Sequence, residues 1–166
     1  MSSILITGGA GNVGSALANE LLKDKDCRVV IVDNLSTGDL KKIPKKENVV
    51  FIKADANLLS DLTPIFGRYN FDYVFHYAAL VGVKRTLQNP MMVLQDIDGI
   101  KNILSLSKNT GVKRVFYSSS SEVYGEPFEI PQNEKTTPLN SRLPYAIVKN
   151  VGEAFFKSYY QEYGLE

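Results

Sequence analysis

The chain has one cysteine, Cys27, among its 166 residues, so no internal disulfide can form. With no partner thiol and no histidines clustered about it, Cys27 reads as a small residue leading into a strand. Histidine is equally scarce: His76 stands alone, which is more often a structural position than a ligand, and no His, Cys or acidic pair recurs at ligand spacing, so no metal site is expected. Net charge is close to absent, at +1, and points to no polyanionic partner. The densest basic stretch, Lys41-Lys42-Ile43-Pro44-Lys45-Lys46, is balanced by nearby acids and reads as a solvated loop rather than a nucleic-acid surface. No stretch approaches the ~18 apolar residues that cross a bilayer, so no membrane partner is expected. Repeats and low-complexity segments are also lacking. The chain opens Met1-Ser2-Ser3 and enters apolar sequence at once, so no signal peptide is expected, and the expected setting is the reducing cytoplasm.

What is present suits one domain over residues 1–166 with a sizeable core, since 44% of the chain is hydrophobic. Directly after the apolar run Ile4-Leu5-Ile6 comes Thr7-Gly8-Gly9-Ala10-Gly11-Asn12-Val13-Gly14, followed by a helical pattern. Glycines at Gly8, Gly11 and Gly14 let a strand turn sharply, approach a phosphate with bare backbone, and pack the next helix closely. That helix N-terminus would aim free N–H groups at a dinucleotide pyrophosphate. Alone, such glycines fit a plain turn equally well. The second apolar run, Arg28 to Val32, adds context by delivering Asp33 nineteen residues after Gly14, close to the ~20 expected of an acid that holds an adenosine ribose. A carboxylate there accepts from both ribose hydroxyls and repels a 2'-phosphate, which favours NAD over NADP; the other reading of Asp33 is a turn residue before Asn34.

Apolar runs alternate with helical patterns along the whole chain, predicting an α/β doubly wound parallel sheet of the Rossmann type. The predicted strands are Ile4 to Thr7, Arg28 to Val32, Val49 to Lys53, Tyr73 to His76 and Arg114 to Ser118. Helices are predicted near Val13 to Lys23, Leu59 to Phe66, Pro90 to Asn109 and Tyr145 to Tyr163, the last two followed by Gly111 and Gly164 as C-cap glycines. Only two strands follow the crossover after the third, where two halves of three are usual, so the expectation is a chain truncated before a C-terminal substrate domain.

After the fifth strand the sequence runs Tyr117-Ser118-Ser119-Ser120-Ser121-Glu122-Val123-Tyr124-Gly125, and Tyr145 and Lys149 follow four apart on a helix, hence on one face. About 0.8 such pairs are expected by chance in this composition, and this is the only one. A phenol titrates near 10 and is a poor base at neutral pH; a Lys cation at ~4 Å in an effective dielectric of ~20 supplies roughly the 3 to 4 kcal/mol needed to bring it down. Tyr145 could then take a proton from a sugar hydroxyl while Ser120 hydrogen-bonds the same oxygen. The plain alternative is a solvent-facing helix start after Pro144.

Taken together, Thr7 to Gly14, Asp33-Asn34-Leu35-Ser36-Thr37-Gly38, Asp55, His76-Tyr77-Ala78-Ala79, Ser118 to Gly125 and Tyr145 to Lys149 resemble the extended short-chain dehydrogenase/reductases, specifically the NAD-dependent nucleotide-sugar epimerase/dehydratase family. The resemblance covers all 166 residues. It implies Asn12 and Val13 against the pyrophosphate, Asn34, Ser36, Thr37 and Gly38 with Asp33 around the adenosine ribose and its phosphate, Asp55 and Ala56 at the adenine, and Tyr77, Ala78 and Ala79 along the middle of the cofactor. It also implies Ser120, Tyr145 and Lys149 as catalytic triad, with Tyr145 and Lys149 touching cofactor as well. There are departures. Asp96-Ile97-Asp98-Gly99-Ile100 stands where many members have Asn-Val-x-Gly-Thr, and Val81 stands where some epimerases carry a Lys, with Lys84 nearby.

The family's 4,6-dehydratases carry Thr-Asp-Glu before Val-Tyr-Gly, and a uronate decarboxylase pattern resembles Thr-Ser-Glu; this chain has Ser120-Ser121-Glu122. Simple 4-epimerisation needs only the triad, retained NADH and a keto sugar free to turn over, so the expected activity is a nucleotide-sugar epimerase, UDP-glucose 4-epimerase-like. Dehydratase, decarboxylase and an NAD-binding fragment without turnover remain the alternatives. Relatives dimerise through the two long helices, so a homodimer is expected, and Phe155, Phe156, Tyr159 and Tyr160 would suit either that burial or packing on the sheet.

Overall fold

The computed structural model describes residues 1–166. Five strands, β1 (Ser2–Thr7), β2 (Cys27–Asp33), β3 (Val49–Lys53), β4 (Tyr73–His76) and β5 (Arg114–Tyr117), form one parallel sheet in the order β3-β2-β1-β4-β5. Ile4 pairs with Val29 on one side and Tyr73 on the other, and Tyr73 with Arg114, so the chain reverses its direction of travel across the sheet at β1. That reversal opens a crevice beyond the carboxyl ends of β1 and β4.

Alternate strand residues face opposite sides, and each side has its own helices. Leu5, Val30, Val32, Val74 and Val115 pack with α2 (Leu59–Arg68) and α4 (Pro90–Thr110), whose Leu62, Ile100, Ile103 and Leu104 are buried. Ile4, Ile6, Val29 and Ile31 pack with Ala18 and Leu22 at α1 (Asn12–Leu21) on the opposite face. Each such aliphatic side chain contributes about 1.5 to 3 kcal/mol by leaving water. Helix α5 (Pro144–Tyr163) lies along α4; both begin with proline in the first turn and end at a left-handed glycine, Gly111 at φ 74° and Gly164 at φ 66°. No helix is long and apolar enough to cross a membrane.

The boundaries depart from expectation in a few places. β5 stops at Tyr117, one residue short of Ser118, because the chain there leaves the sheet for the loop carrying Ser120. Helix α1 ends at Leu21, and a six-residue helix, α3 (Val83–Gln88), was not anticipated. On α5, Phe155, Phe156 and Tyr159 pack against the α4 side of the sheet, while Tyr160 is exposed. At the outer edge of β5 the Val115 N–H donates to the Glu166 carbonyl at 2.6 Å, and the Arg114 guanidinium pairs with the Glu166 carboxylate.

Candidate active site

The loop between β1 and α1 has almost no room for side chains. Gly8 holds φ +70°, and a Cβ there would lie 2.8 Å from the Ala78 nitrogen at the end of β4. A Cβ on Gly14 would lie 2.6 Å from the Gly8 carbonyl, so the glycines let α1 start directly beneath the turn. Asp33, buried at the end of β2, fastens this loop to the next one: it accepts from the Ala10 N–H at 3.0 Å and the Leu35 N–H at 2.8 Å. Gly38 backs its carboxylate so closely that a Cβ would sit 2.7 Å from Oδ1. Asn34 donates to Asp55 at 3.0 Å, joining the loops after β2 and β3.

These segments enclose a cleft of about 190 Å³ at the carboxyl edge of the sheet. Of the residues named from sequence, Gly8, Gly11, Asp33, Asn34, Ser36, Thr37, Asp55, Ala56, Tyr77, Ala78 and Ala79 line it. Asn12, Val13, Gly14 and Gly38 stand beside it: Asn12 accepts from the Lys42 ammonium at 2.7 Å, and the Val13 side chain is largely exposed. The lining includes the carboxylates of Asp33, Asp55 and Asp96 and no lysine or arginine.

The loop leaving β4 continues from this cleft, through Leu80 and Val81, into the wall of a second. Gly82, Val83, Thr86 and Leu87 line a pocket of about 260 Å³ together with Ser120, Glu122, Leu143, Pro144 and Tyr145. Ser120 caps a short 3-10 turn, Ser121–Tyr124, by accepting from the Glu122 N–H at 3.2 Å, and this fixes its hydroxyl on the Tyr145 side. Lys149, one turn along α5 from Tyr145, is 4% exposed, with its ammonium 3.5 Å from the Ser118 hydroxyl, 5.0 Å from the Tyr117 ring centre and 5.6 Å from that of Tyr145.

The spacing thus brings Ser120, Tyr145 and Lys149 to one place, but their ionisation departs from expectation. Burial pushes the Tyr145 phenol above its ordinary value; a hydrogen bond with Ser120 offsets part of this, while Glu122 and Asp96 push it further up. Lysine lowers a phenol when it is close and charged, whereas here the ammonium leans on the Tyr117 ring and burial draws Lys149 itself down to about 8, against a raising influence from Asp96. His76, wholly enclosed, is held neutral by burial and by Lys149, lowered to about 3, with the Thr7 hydroxyl 2.8 Å from Nδ1.

Some lining residues were not foreseen. Asn57, Leu80, Val81, Met92, Gln95 and Asp96 complete the first cleft, and the α3 residues Val83, Thr86 and Leu87 the second. Lys84 is exposed and lines neither. Asp96 is the notable one: noticed in sequence only as a departure, it is buried and accepts from the Leu80 N–H at 2.7 Å and the Asn57 amide at 3.2 Å.

Comparison with known proteins agrees with this layout. The family model for the NAD dependent epimerase/dehydratase family matches residues 4–166. A UDP-glucose 4-epimerase of Mycolicibacterium smegmatis is 34% identical, over 98% of this chain and 52% of its own length. Among solved structures, a Thermus thermophilus UDP-glucose 4-epimerase in complex with NAD superposes with a TM-score of 0.90 at 32% identity, covering 99% of this chain and 52% of that one. A UDP-N-acetylglucosamine 4-epimerase from Methanobrevibacter ruminantium, in complex with UDP-N-acetylmuramic acid, gives 0.89 at 36% identity with the same coverage. The chain therefore spans about half the length of these relatives. With the glycine turn, the Asp33 cleft and the β3-β2-β1-β4-β5 sheet all in one matched stretch, the chain belongs to the NAD-dependent epimerase/dehydratase family.

Proposed function

We propose that residues 1–166 form the NAD-binding and proton-transferring part of a nucleotide-sugar 4-epimerase, with much of the sugar-nucleotide pocket supplied by sequence outside this chain. The observation that carries the reading is the meeting of Ser120, Tyr145 and Lys149 one loop away from the Asp33 cleft.

The cleft suits a dinucleotide without a 2'-phosphate. A Cβ would fill the space over Gly8 and Gly14, and the lining offers acceptors for ribose hydroxyls with no cation for an extra phosphate. In this reading Gly8, Gly11, Asn12, Val13 and Gly14 take the pyrophosphate, and Asp33, Asn34, Ser36, Thr37 and Gly38 the adenosine ribose side. Asp55 and Ala56 take the adenine, Tyr77, Ala78 and Ala79 the middle, and Tyr145 with Lys149 the nicotinamide end. NAD, when bound, supplies the hydride acceptor, and its reduced form the donor, for the sugar carbon.

The chain's own residues handle the proton. Tyr145 accepts it from the sugar 4-hydroxyl, Ser120 donates a hydrogen bond that holds the same oxygen in line, and the Lys149 cation opposes the burial that otherwise keeps the phenol protonated. In the return half Tyr145 gives the proton back to the oxygen on the other face of the turned sugar. Epimerisation asks nothing further of these side chains. Glu122 on the pocket wall is the observation favouring a second reading, a uronate decarboxylase or 4,6-dehydratase, since it adds one more proton carrier. The exposed Met91 and Leu94 on α4 and Ile147 and Tyr160 on α5 support a homodimer through those helices, which native mass would test.

The discriminating experiment supplies the protein with NAD and UDP-glucose, UDP-N-acetylglucosamine or UDP-glucuronate and follows the sugar by proton NMR. Appearance of the 4-epimer, lost by about 10²- to 10⁴-fold in Tyr145→Phe, is the expected result. A 4-keto-6-deoxy sugar or released carbon dioxide would move the assignment to the second reading.

A further inference from the structure

We propose that Asp96 is a positioning residue for the catalytic cluster: its carboxylate is the counter-charge of the Lys149 ammonium inside the closed core of the site. The inference rests on the reading of Tyr145 and Lys149 given above.

An acid in the middle of a helix ordinarily faces water, and this one does not. Asp96 is 9% exposed on α4 and is locked by hydrogen bonds from two other cleft walls, the Leu80 N–H after β4 and the Asn57 amide after β3. Both bonds favour the charged carboxylate, while burial opposes it and lifts Asp96 above its ordinary value. The titratable groups acting on it are Lys149 from α5, which favours its charge, and Asp55 from the loop after β3, which opposes it. The phenols of Tyr117 on β5 and Tyr145 on α5 also feel its field.

Around Lys149 the supply of negative charge is thin. Its neighbours are the Ser118 hydroxyl, the faces of Tyr117 and Tyr145, and His76, which burial keeps neutral. Asp96 is the carboxylate that acts on it, and acts to keep its proton. A buried ammonium without a counter-charge sheds its proton instead of paying the desolvation cost. Asp96 therefore decides whether Lys149 still carries the positive charge that Tyr145 requires near neutral pH. The same carboxylate is tied to both loops of the dinucleotide cleft, so the charge is held at a fixed place.

The test is direct titration of Lys149 through its 13Cε resonance, assigned with Lys149→Arg, in the parent chain and in Asp96→Asn. Asparagine keeps the shape and can still accept from the Leu80 N–H, so a purely structural role would leave the midpoint in place. The expected result is a midpoint near 8 in the parent and a fall of about half a unit or more in Asp96→Asn, roughly a threefold loss in proton affinity. An unchanged midpoint overturns the proposal. Should Asp96→Asn fail to fold, the parent still decides: the Lys149 resonance must show a second inflection where the Asp96 13Cγ resonance titrates, and its absence overturns the proposal. No turnover is needed, so the outcome is independent of whether the epimerase reading holds.

Discussion

Acidification from pH 7.5 to 5 should cost this protein about 2 kcal/mol of stability through one side chain, His76. It is the only histidine in the chain, 2% exposed beneath the candidate site, with the Thr7 hydroxyl 2.8 Å from Nδ1 and Tyr117 stacked alongside. Burial first, and the nearby Lys149 cation second, lower it from 6.5 to about 3. The folded chain therefore refuses a proton that the unfolded chain accepts. This contribution is whole above pH 6.5 and is lost steadily as pH falls toward 3. At pH 5 the unfolded state gains RT ln(1 + 10^1.5), about 2 kcal/mol, and the folded state gains almost nothing. Asp96 works with the opposite sign, since its raised carboxyl takes up a proton more readily in the folded chain, so a histidine-free control is needed. Urea unfolding followed by circular dichroism at pH 7.5, 6.5, 5.5 and 5.0 gives the slope, and His76→Asn in the same buffers isolates the histidine. The reasoning is refuted if the parent loses less than about 0.5 kcal/mol across the window, or if His76→Asn loses as much as the parent.

Two further substitutions test the packing around the clefts. Gly14→Ala places a Cβ 2.6 Å from the Gly8 carbonyl and 2.7 Å from the Gly9 Cα, both backbone, so thermal unfolding should show a loss of about 2 to 3 kcal/mol. Tyr117→Phe should do the reverse: its hydroxyl is buried without a hydrogen-bond partner, and removing it should raise stability by about 1 kcal/mol in chemical denaturation. A clear loss in that variant would mean the hydroxyl has a partner.

The strands could be read from sequence because strands buried on both faces are written as unbroken apolar runs: Val29, Val30, Ile31 and Val32 are all sealed from solvent. The glycine turn and Asp33 were legible for a related reason, since a close approach of backbone to backbone admits only glycine. Helix α3 was not, because none of its six residues is buried and no apolar face marks it. The aromatic cluster on α5 was legible as a burial signal but not in direction; only packing against α4 turns Phe155, Phe156 and Tyr159 inward and leaves Tyr160 out. Within the site, a four-residue spacing put Tyr145 and Lys149 on one face. It could not reveal that burial outweighs their attraction, because that depends on what β4, β5 and α4 stack over them. The same holds for Asp96, whose sequence position is that of a surface acid until Leu80 and Asn57 close on it.

The most direct test of the account is calorimetric titration of the protein with NAD and, separately, NADP. The Asp33 cleft, carrying carboxylates and no cation, calls for NAD bound at least about tenfold more tightly than NADP, because a 2'-phosphate would meet like charge there. Failure to take up NAD, or equal affinity for the two, would contradict it.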